Sequence, residues 1–518
     1  MDKLIPLGSH PVMSRYISSA LSRPSTLPKT FHGADSLDVF KEAIENGRTF
    51  LPARYQKPYV EILNAALVQA EEALKPLGVR ATARRQAVFA QLESVFTVLA
   101  APIVQLSGSK YQKELKAFIA LTSNLYRRFL DDNDITSNSQ KLKLLYPDLD
   151  PLAFFTVDQS GPYALAATRE LPLTIIAKPV AQASCLPLWL ADGHEVAGHG
   201  IHNLVDGLQN DLTTAIRTAV GKGFDEKKVK TSTHSVALPA RGKTFFSGLL
   251  GGQKTLSMRE FMCELFGAWV AEISADAAGL INMGPLFVDA GMLLLSASRT
   301  SGGLSSSSEY DSQTGFAEYP MDLVRVLFNI EMVRKLPIKD APVYAAALHE
   351  RLVAIMGGAL PSHVSWLRRS GSQVLELPLS DLRAALPTVA DAVLNAKLKS
   401  LSNQSLTDVM TWTEVDEKLV REVSLQLEKG DANIDIIVDA RHVVSASLMA
   451  VERVSKKPDF TKLAERIQAT GIQALADIYD SQCLLCLPTQ KDDPETNAPT
   501  SLTDLVRLVK EVKDLRGR

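Results

Sequence analysis

The sequence predicts a mainly α protein with a small β element, an α+β fold. Apolar residues recur at three- and four-residue spacing through most of the 518-residue chain, which is typical of helices packed on a core. One stretch, residues 153–183, instead has short β-branched or aromatic segments bounded by glycine and proline, which predicts two or three strands. A composition of 46% hydrophobic and 22% charged residues is ordinary for a globular protein. We therefore expect a multi-helix core around a small sheet.

The N-terminal elements are predicted from the positions of proline, serine and glycine and from the spacing of apolar residues. Residues 1–55 are rich in proline, serine and glycine, which predicts an irregular arm with one short helix at 36–47. Residues 57–130 have the helical pattern throughout. After the predicted strands, the helical pattern returns at Leu188, directly after a proline.

The C-terminal elements are mostly helices separated by two long loops. Residues 221–255 are polar and glycine-rich, which predicts a surface insertion, and residues 301–320 predict a second loop. One long helix is expected at 258–281. The other predicted helices span 321–335, 341–356, 379–399, 413–428, 439–454, 460–480 and 501–515.

Chain length favours about three regions, since domains commonly have 100–200 residues. We expect an N-terminal arm and helical region at 1–150, a core region at 151–345, which contains the site residues considered below, and a C-terminal helical region at 346–518. The sequence does not specify an oligomeric state.

Charge and composition exclude several partner classes. The net charge of -2 provides no general basic surface, so we expect no nucleic-acid partner. No apolar run reaches about 18 residues and the first residues lack a secretory pattern, so we expect no membrane partner and a cytoplasmic protein. Four cysteines are too few for a disulfide framework. The pair Cys483 and Cys486 lies in an apolar run and is interpreted as two buried thiols.

The stretch GHEVAGHGIH, residues 193–202, contains three of the nine histidines in the chain. Zinc peptidases commonly place two histidines and a glutamate on one helix as H-E-x-x-H, where four residues rotate about 400° and bring both rings to one face. Here the pattern is H-E-x-x-x-H, and five residues rotate about 500°, which leaves about 140° between the rings. An ideal α-helix would therefore not bring His194 and His199 to one metal ion.

A π-bulge that accommodates one extra residue would bring the two rings together again. Gly198 is where this distortion costs least, because glycine has little steric preference. The sequence therefore predicts a bulge between Val196 and Gly198. The alternative is that the histidines are simply polar residues on a helix face.

A second helix supplies candidate acids for a third ligand. Residues 258–285 carry Glu260, Glu264, Glu272 and Asp276 in an otherwise apolar sequence. Glu272 and Asp276 lie four residues apart, on one face, among apolar neighbours, and buried acids are costly unless they are paired or bind a metal. A solvent-facing helix with salt bridges is the alternative, but residues 261–283 contain no lysine, arginine or histidine.

These two segments, within residues 191–285, resemble the gluzincin class of zinc metallopeptidases. The lengthened motif is similar to the H-E-L-L-G-H motif of the dipeptidyl peptidase III family, and Glu272-Ile-Ser-Ala-Asp276 looks like the second helix of gluzincins. The resemblance implies that His194, His199 and Glu272 bind Zn²⁺, that Glu195 is the general base, and that Asp276 orients a ligand histidine.

The implied function is a zinc-dependent hydrolase that cleaves peptide bonds, with a peptide or protein as substrate. Glu264 is the reserve candidate for the third ligand, and His202 for an alternative ligand set. Tyr319, in the Glu-Tyr-Pro stretch before a helix, is the candidate donor to the developing oxyanion. Two alternatives remain open: a metal-binding scaffold without turnover, and a helical interaction protein without metal.

Overall fold

The computed structural model describes most of the chain: residues 7, 10–23, 26–78, 81–108, 110–130, 144–145, 149–157, 161–224, 235–239, 253–299, 302–311, 315–368, 373–434, 438–482 and 501–516. Its α-helices are α1 (His10–Leu21), α2 (Leu37–Arg48), α3 (Glu61–Leu74), α4 (Thr82–Leu99), α5 (Ala101–Ser107), α6 (Gln112–Leu130), α7 (Leu208–Gly223), α8 (Met258–Ala268), α9 (Val270–Met283), α10 (Leu286–Ala297), α11 (Asp322–Val333), α12 (Ala341–Ile355), α13 (Leu379–Asn395), α14 (Leu406–Val409), α15 (Glu414–Lys429), α16 (Ala440–Val454), α17 (Phe460–Gln482) and α18 (Leu502–Arg516). The strands are β1 (Leu152–Thr156), β2 (Tyr163–Leu165), β3 (Ile175–Pro179), β4 (Ser235–Pro239), β5 (Gln253–Ser257), β6 (Ser307–Asp311), β7 (Gly315–Phe316), β8 (His363–Leu367) and β9 (Gln373–Pro378).

The predicted fold class is confirmed, because helices account for 66% of the structure and strands for 9%. The helices expected after residue 321 all form, within a few residues of the predicted bounds. Two or three strands were expected within 153–183, and three form there, β1, β2 and β3. Apolar periodicity was sufficient to predict these helices because each of them buries one apolar face on the shared core.

The structure differs from the sequence predictions at two places and contains one element that was not predicted. Helix α1 forms inside the predicted irregular arm, where Met13 and Ile17 lie four residues apart and are fully buried. Strands β8 and β9 pair as an antiparallel hairpin that was not predicted. The helix expected at 258–281 is two helices, α8 and α9, separated at Trp269, whose indole N–H donates to Ala317 O at 3.1 Å. Tertiary contacts therefore override the continuous helical pattern at this residue.

The sheet nearest the motif has the order β1-β3-β2, with β1 parallel and β2 antiparallel to β3. Strand β3 is buried along its whole length, as its apolar sequence predicts for a central strand. On the outer side of β2, no strand pairs with it among the residues that the structure describes. An edge of the sheet therefore faces the region of the histidine motif.

The hydrophobic core is continuous from Met13 near one end of the chain to Val509 near the other. Helix α17 packs against α6, so the predicted N-terminal and C-terminal regions are in contact. The boundaries of the three predicted regions stay a prediction. Cys483 and Cys486 lie outside the described residues.

The two predicted long loops contain short strands. Strands β4 and β5 pair within 221–257, and β6 and β7 pair within 301–320, while residues 225–234 and 240–252 lie outside the described part of the chain. Of the described helices, none is by itself long and apolar enough to cross a bilayer. The pair α4 and α5 meets that test only when joined, across a 65° bend.

A buried charge cluster joins three helices of the core. Arg351 on α12 contacts Asp289 on α10 at 2.7 Å and Glu452 on α16 at 2.8 Å, and each of these side chains is at most 3% exposed. Burial raises the pKa of Asp289 to about 7, against the charge of Arg351 and with the nearby charge of Glu452. One guanidinium thus compensates two carboxyl groups, and the cluster holds a proton near neutral pH.

Asp289→Asn should remove a pH dependence of stability. Because burial raises the pKa of Asp289, the cluster of Asp289 and Glu452 should keep a proton in the folded protein between about pH 4 and pH 7 that the unfolded chain releases, so the free energy of unfolding should fall as pH rises through this window. The variant carries no such proton, so between pH 5 and pH 8 its loss of stability should be smaller than that of the wild type by roughly 1–3 kcal/mol. Denaturant unfolding of both proteins at a series of pH values measures this, and parallel curves would contradict it.

Candidate metal centre

Residues His194–Gly200, here called the motif turn, form a π-helix. A π turn closes its hydrogen bonds between residues i and i+5, so side chains five residues apart share a face. The rings of His194 and His199 accordingly lie with centroids 4.6 Å apart and nearly perpendicular, at 88°. The bulge predicted from the five-residue spacing is confirmed, and it extends over the whole motif rather than only Val196 to Gly198.

The motif turn packs backbone to backbone against α9. A Cβ atom on Gly198 would lie 2.4 Å from Cβ and 2.5 Å from Cα of Ala275, and one on Gly193 would lie 3.0 Å from Cα of Gly279. Cβ atoms in real structures essentially never come this close, so only glycine fits at Gly198. This close approach brings the acids of α9 to the histidines.

Three side chains converge at one point. His194 Nε2 lies 3.4 Å from Glu272 Oε2, and His199 Nε2 lies 3.3 Å from Glu272 Oε1. Ligand atoms at about 2.1 Å from one metal ion are roughly 3.4 Å from one another, so this spacing is compatible with a metal ion held between the three groups. Among the described residues this triad is the group of histidine, cysteine or acidic side chains whose ligand atoms lie close enough, within 4.8 Å, to hold a metal.

Asp276 orients His194 and is itself held by two residues of α11. The Nδ1–H of His194 donates to Asp276 Oδ1 at 2.8 Å, which leaves Nε2 facing Glu272. Arg325 donates to both oxygens of Asp276 at 2.6 Å, and Asn329 donates to Oδ2 at 3.1 Å. Burial raises the pKa of Asp276, but Arg325 and His194 outweigh burial and lower it to about 2.

Glu272 differs from Asp276 in that its partners are incomplete. Its Oε2 is buried and makes no hydrogen bond of good geometry with the described residues, although Arg325 Nη1 lies 3.6 Å away. Burial raises the pKa of Glu272, but its contacts with His194 and His199 hold it well below the usual value, so the carboxylate is charged. A buried charged oxygen without a good hydrogen bond, aimed at two imidazoles, is the feature that a cation would complete.

The contacts of His194 favour the protonated form of its imidazole. Burial and the charge of Arg325 lower the pKa of His194, but hydrogen bonds with Asp276 and Glu272 outweigh them and raise it to about 9. Since only a neutral imidazole binds zinc, a metal ion and a proton compete for its Nε2.

Glu195 lies at the same centre but outside the triad. Its Oε2 accepts a hydrogen bond from the backbone N–H of Ala164 on β2 at 3.0 Å. It lines a cavity of about 730 Å³ together with His194, His199 and Glu272. The carboxylate therefore lies between the triad and the free edge of the sheet, in contact with the cavity.

Tyr319 lines this cavity as well and is 46% exposed. Burial raises the pKa of its hydroxyl to about 12, and the charges of Glu272 and Glu195 add to this effect. The hydroxyl therefore keeps its proton at neutral pH and can donate a hydrogen bond into the cavity.

The two reserve ligands do not join the triad. Glu264 lies on α8, beyond the break at Trp269, and lines a second cavity with Arg217 and Cys263. His202 is 1% exposed, and its Nδ1 lies 3.2 Å from Ser274 Oγ. Burial first, and then the nearby histidines, lower the pKa of His202 to about 3. His202 therefore packs neutral against α9, outside the metal-ligand cluster.

Sequence reasoning did not assign the partners of these acids. Residues 261–283 carry no basic residue that could neutralise Asp276. The base is Arg325, which comes from a different helix, α11. Asp192, just before the motif turn, pairs with Lys178 on β3 at 2.7 Å, and both side chains are fully buried. A lysine within the apolar strand β3 was a sequence signal for such a pair, since lysine is almost never buried without a partner.

Comparison with known proteins assigns no relative to this chain. No protein-family model, curated protein or solved structure matches it. A proposal for its function therefore rests on the fold and on the geometry of the triad.

Proposed function

We propose that this protein is a zinc-dependent hydrolase that cleaves peptide bonds and that Glu195 is its general base. The observation that supports this proposal is the convergence of His194, His199 and Glu272 beside a carboxylate that is not part of the triad. Two imidazoles and one carboxylate leave a fourth position for water, which is the donor set of a catalytic rather than a structural zinc site. Tetrahedral nitrogen and oxygen ligands also favour zinc over magnesium or calcium, which prefer more oxygen ligands.

Each neighbouring side chain then has a defined task. A bound zinc ion would act as a Lewis acid and lower the pKa of a water molecule toward 7. Glu195 accepts the proton of that water and passes it to the leaving amine. Tyr319 donates a hydrogen bond to the developing oxyanion. Asp276, held by Arg325, fixes the ring of His194 with Nε2 toward the metal.

A peptide is the substrate class that suits the neighbouring strand. Strand β2 lies at the edge of its sheet, and the N–H of Ala164 points away from β3 toward Glu195. Because Glu195 already accepts from the Ala164 N–H, an extended peptide would pair with this edge through the other main-chain groups that face away from β3, independent of its side chains. This arrangement would present a backbone carbonyl to the metal centre.

The alternatives differ from this proposal in metal content and turnover. A degenerate scaffold would bind zinc without hydrolysis, and a helical interaction protein would bind no metal.

Four cysteines in the chain, with Cys185 and Cys263 free, are compatible with the cytoplasmic location that we also propose.

Metal analysis is the first experiment. Purified protein should carry close to one equivalent of zinc, and His194→Ala should lower zinc affinity by more than about 100-fold, since it removes a ligand rather than a supporting group. His202→Ala is the matched control and should retain zinc. Protein that binds no zinc when the metal is supplied would contradict the proposal, and loss of zinc only in His202→Ala would reverse the ligand assignment.

A further inference from the structure

The cavity at the metal centre has one long apolar wall, formed by α10. The residues that line it lie at positions i, i+1, i+4, i+7 and i+8, which is one face of a helix; they are Phe287, Val288, Gly291, Leu294 and Leu295. Leu165, Val326 and Leu508 add apolar surface from other elements. We call the α10 face the apolar wall.

The apolar wall begins beside the metal-binding triad. A Cβ on Gly279 would lie 2.5 Å from the ring of Phe287 and 3.1 Å from the backbone nitrogen of His194, so Phe287 packs next to the motif turn. With a rise of 1.5 Å per residue, Gly291 lies about 6 Å and Leu295 about 12 Å further along the helix. This length accommodates a large side chain that starts at the metal centre.

Gly291 keeps space open within the wall. A Cβ at this position would meet no atom within 4 Å, in contrast to Gly198 and Gly279, where neighbouring atoms lie at 2.4–2.5 Å. Because no atom lies within 4 Å, a close approach of another element is not the reason for glycine at Gly291. Glycine is also less favourable than alanine inside a helix, so its presence here has no stabilising effect on the helix. The open space in front of this glycine is part of the cavity.

No charge faces the cavity from this helix. Asp289 is the one charged residue of the sequence 286–297, and it points to Arg351 in the core. Arg299, just after the helix, lines the cavity but pairs with Asp322 at 2.5 Å. The apolar wall thus offers dispersion contacts and burial, which favour an apolar side chain over a charged one.

We propose that the apolar wall is the specificity subsite of this enzyme and binds a large apolar side chain, of the size of leucine or phenylalanine, next to the scissile bond. Gly291 sets the depth of the subsite. This inference rests on the proposed peptidase activity, because it assigns the substrate of the same site. Binding to the wall itself requires no turnover, so it can be measured separately.

The test uses Gly291→Ala, Gly291→Val and Gly291→Leu, which fill the open space in steps. Short alanine peptides, each with one phenylalanine at a different position, are compared with the all-alanine parent. Two readouts are taken: kcat/KM in the active protein, and calorimetric affinity in the same variants made inactive by Glu195→Gln. The wild type should prefer one phenylalanine position by at least about tenfold, since even one methylene in an apolar pocket contributes that much. Gly291→Leu should remove this preference, and Gly291→Ala and Gly291→Val should lower it in steps.

Gly221→Ala on α7 is the control for the effect of replacing a helical glycine. Its Cβ would lie 3.4 Å from the flexible guanidinium of Arg259, away from the cavity, and the preference should be unchanged. Thermal unfolding of each variant checks the fold, and Gly291→Ala keeps the test valid where Gly291→Leu does not fold. A phenylalanine preference that survives Gly291→Val and Gly291→Leu, or a uniform loss for all peptides, would overturn the subsite.

The two readouts separate this inference from the proposed function. Cleavage without side-chain preference would leave the peptidase proposal standing and contradict the subsite. Preferential binding of a phenylalanine peptide that Gly291→Leu abolishes, in a protein that cleaves nothing, would support the subsite and contradict the peptidase proposal.

Discussion

Glu195→Gln should abolish peptide hydrolysis and leave zinc bound. The amide cannot accept a proton from water, and general-base catalysis commonly contributes 10²–10⁴-fold, so we expect kcat to fall by about 10³-fold or more. The proposed ligands His194, His199 and Glu272 are unchanged in this variant. The glutamine carbonyl can still accept the hydrogen bond that Ala164 N–H donates to Glu195, so the local structure should be preserved.

Zinc stoichiometry and steady-state kinetics of the same preparations measure this result. Glu264→Gln is the matched control, because it removes a carboxylate from the second cavity, and its activity should equal that of the wild type. Activity of Glu195→Gln within tenfold of the wild type, with zinc retained, would show that another group is the base. A zinc-loaded wild type that hydrolyses no peptide would favour the degenerate scaffold.

The helices were predictable because each buries one face on a common core. The helix at 439–454 was expected and forms as Ala440–Val454, and the helix at 460–480 forms as Phe460–Gln482. Helix α1 was not predicted, because proline and serine on both sides of it suggested an irregular arm. Its Met13 and Ile17 are buried through packing against distant parts of the chain, which the neighbouring proline and serine residues do not indicate.

The two segments of the triad were predictable because each carries a local signal: the histidine spacing in one, and acids within an apolar helix in the other. The five-residue spacing of His194 and His199 is compatible with a shared metal only on a distorted turn, and the π turn forms there. The partners of the acids were not predictable in this way. Arg325 and Asn329 reach Asp276 from a separate helix 49 and 53 residues along the chain, so their pairing depends on the tertiary fold.

The reserve candidate Glu264 depended on a continuous helix from 258 to 281. The apolar pattern continues through residue 269, and no proline marks the break. The break arises where the Trp269 side chain is buried, with its indole N–H bonded to Ala317 O and its ring packed on Phe266. These contacts lie at the break between the helix of Glu264 and the helix of Glu272, and apolar periodicity does not reveal them.

The π turn makes a second strong prediction, because it forms where the motif turn and α9 touch through their backbones. Gly198→Ala should destabilise the protein by about 2–3 kcal/mol, since the new Cβ would overlap both Cα and Cβ of Ala275 and cannot be relieved by a side-chain rotation. The helices must then separate. Because Ala275 lies three residues after Glu272 on α9, the carboxylate should move away from His194 and His199, and zinc affinity should fall at least tenfold.

Gly200→Ala is the matched control for Gly198→Ala, because Gly200 lies in the same π turn and its Cβ would make only ordinary contacts, the nearest at 3.4 Å from Thr174 Cγ2. Both substitutions add one methyl group and the same helix propensity, which favours alanine by about 1 kcal/mol. Denaturant unfolding of the metal-free proteins and zinc competition with a chelator measure the two effects. Equal behaviour of both variants would mean that the contact between Gly198 and Ala275 does not hold the triad together. A loss of stability and of zinc affinity in Gly198→Ala alone would show that one backbone contact links the fold to the metal centre.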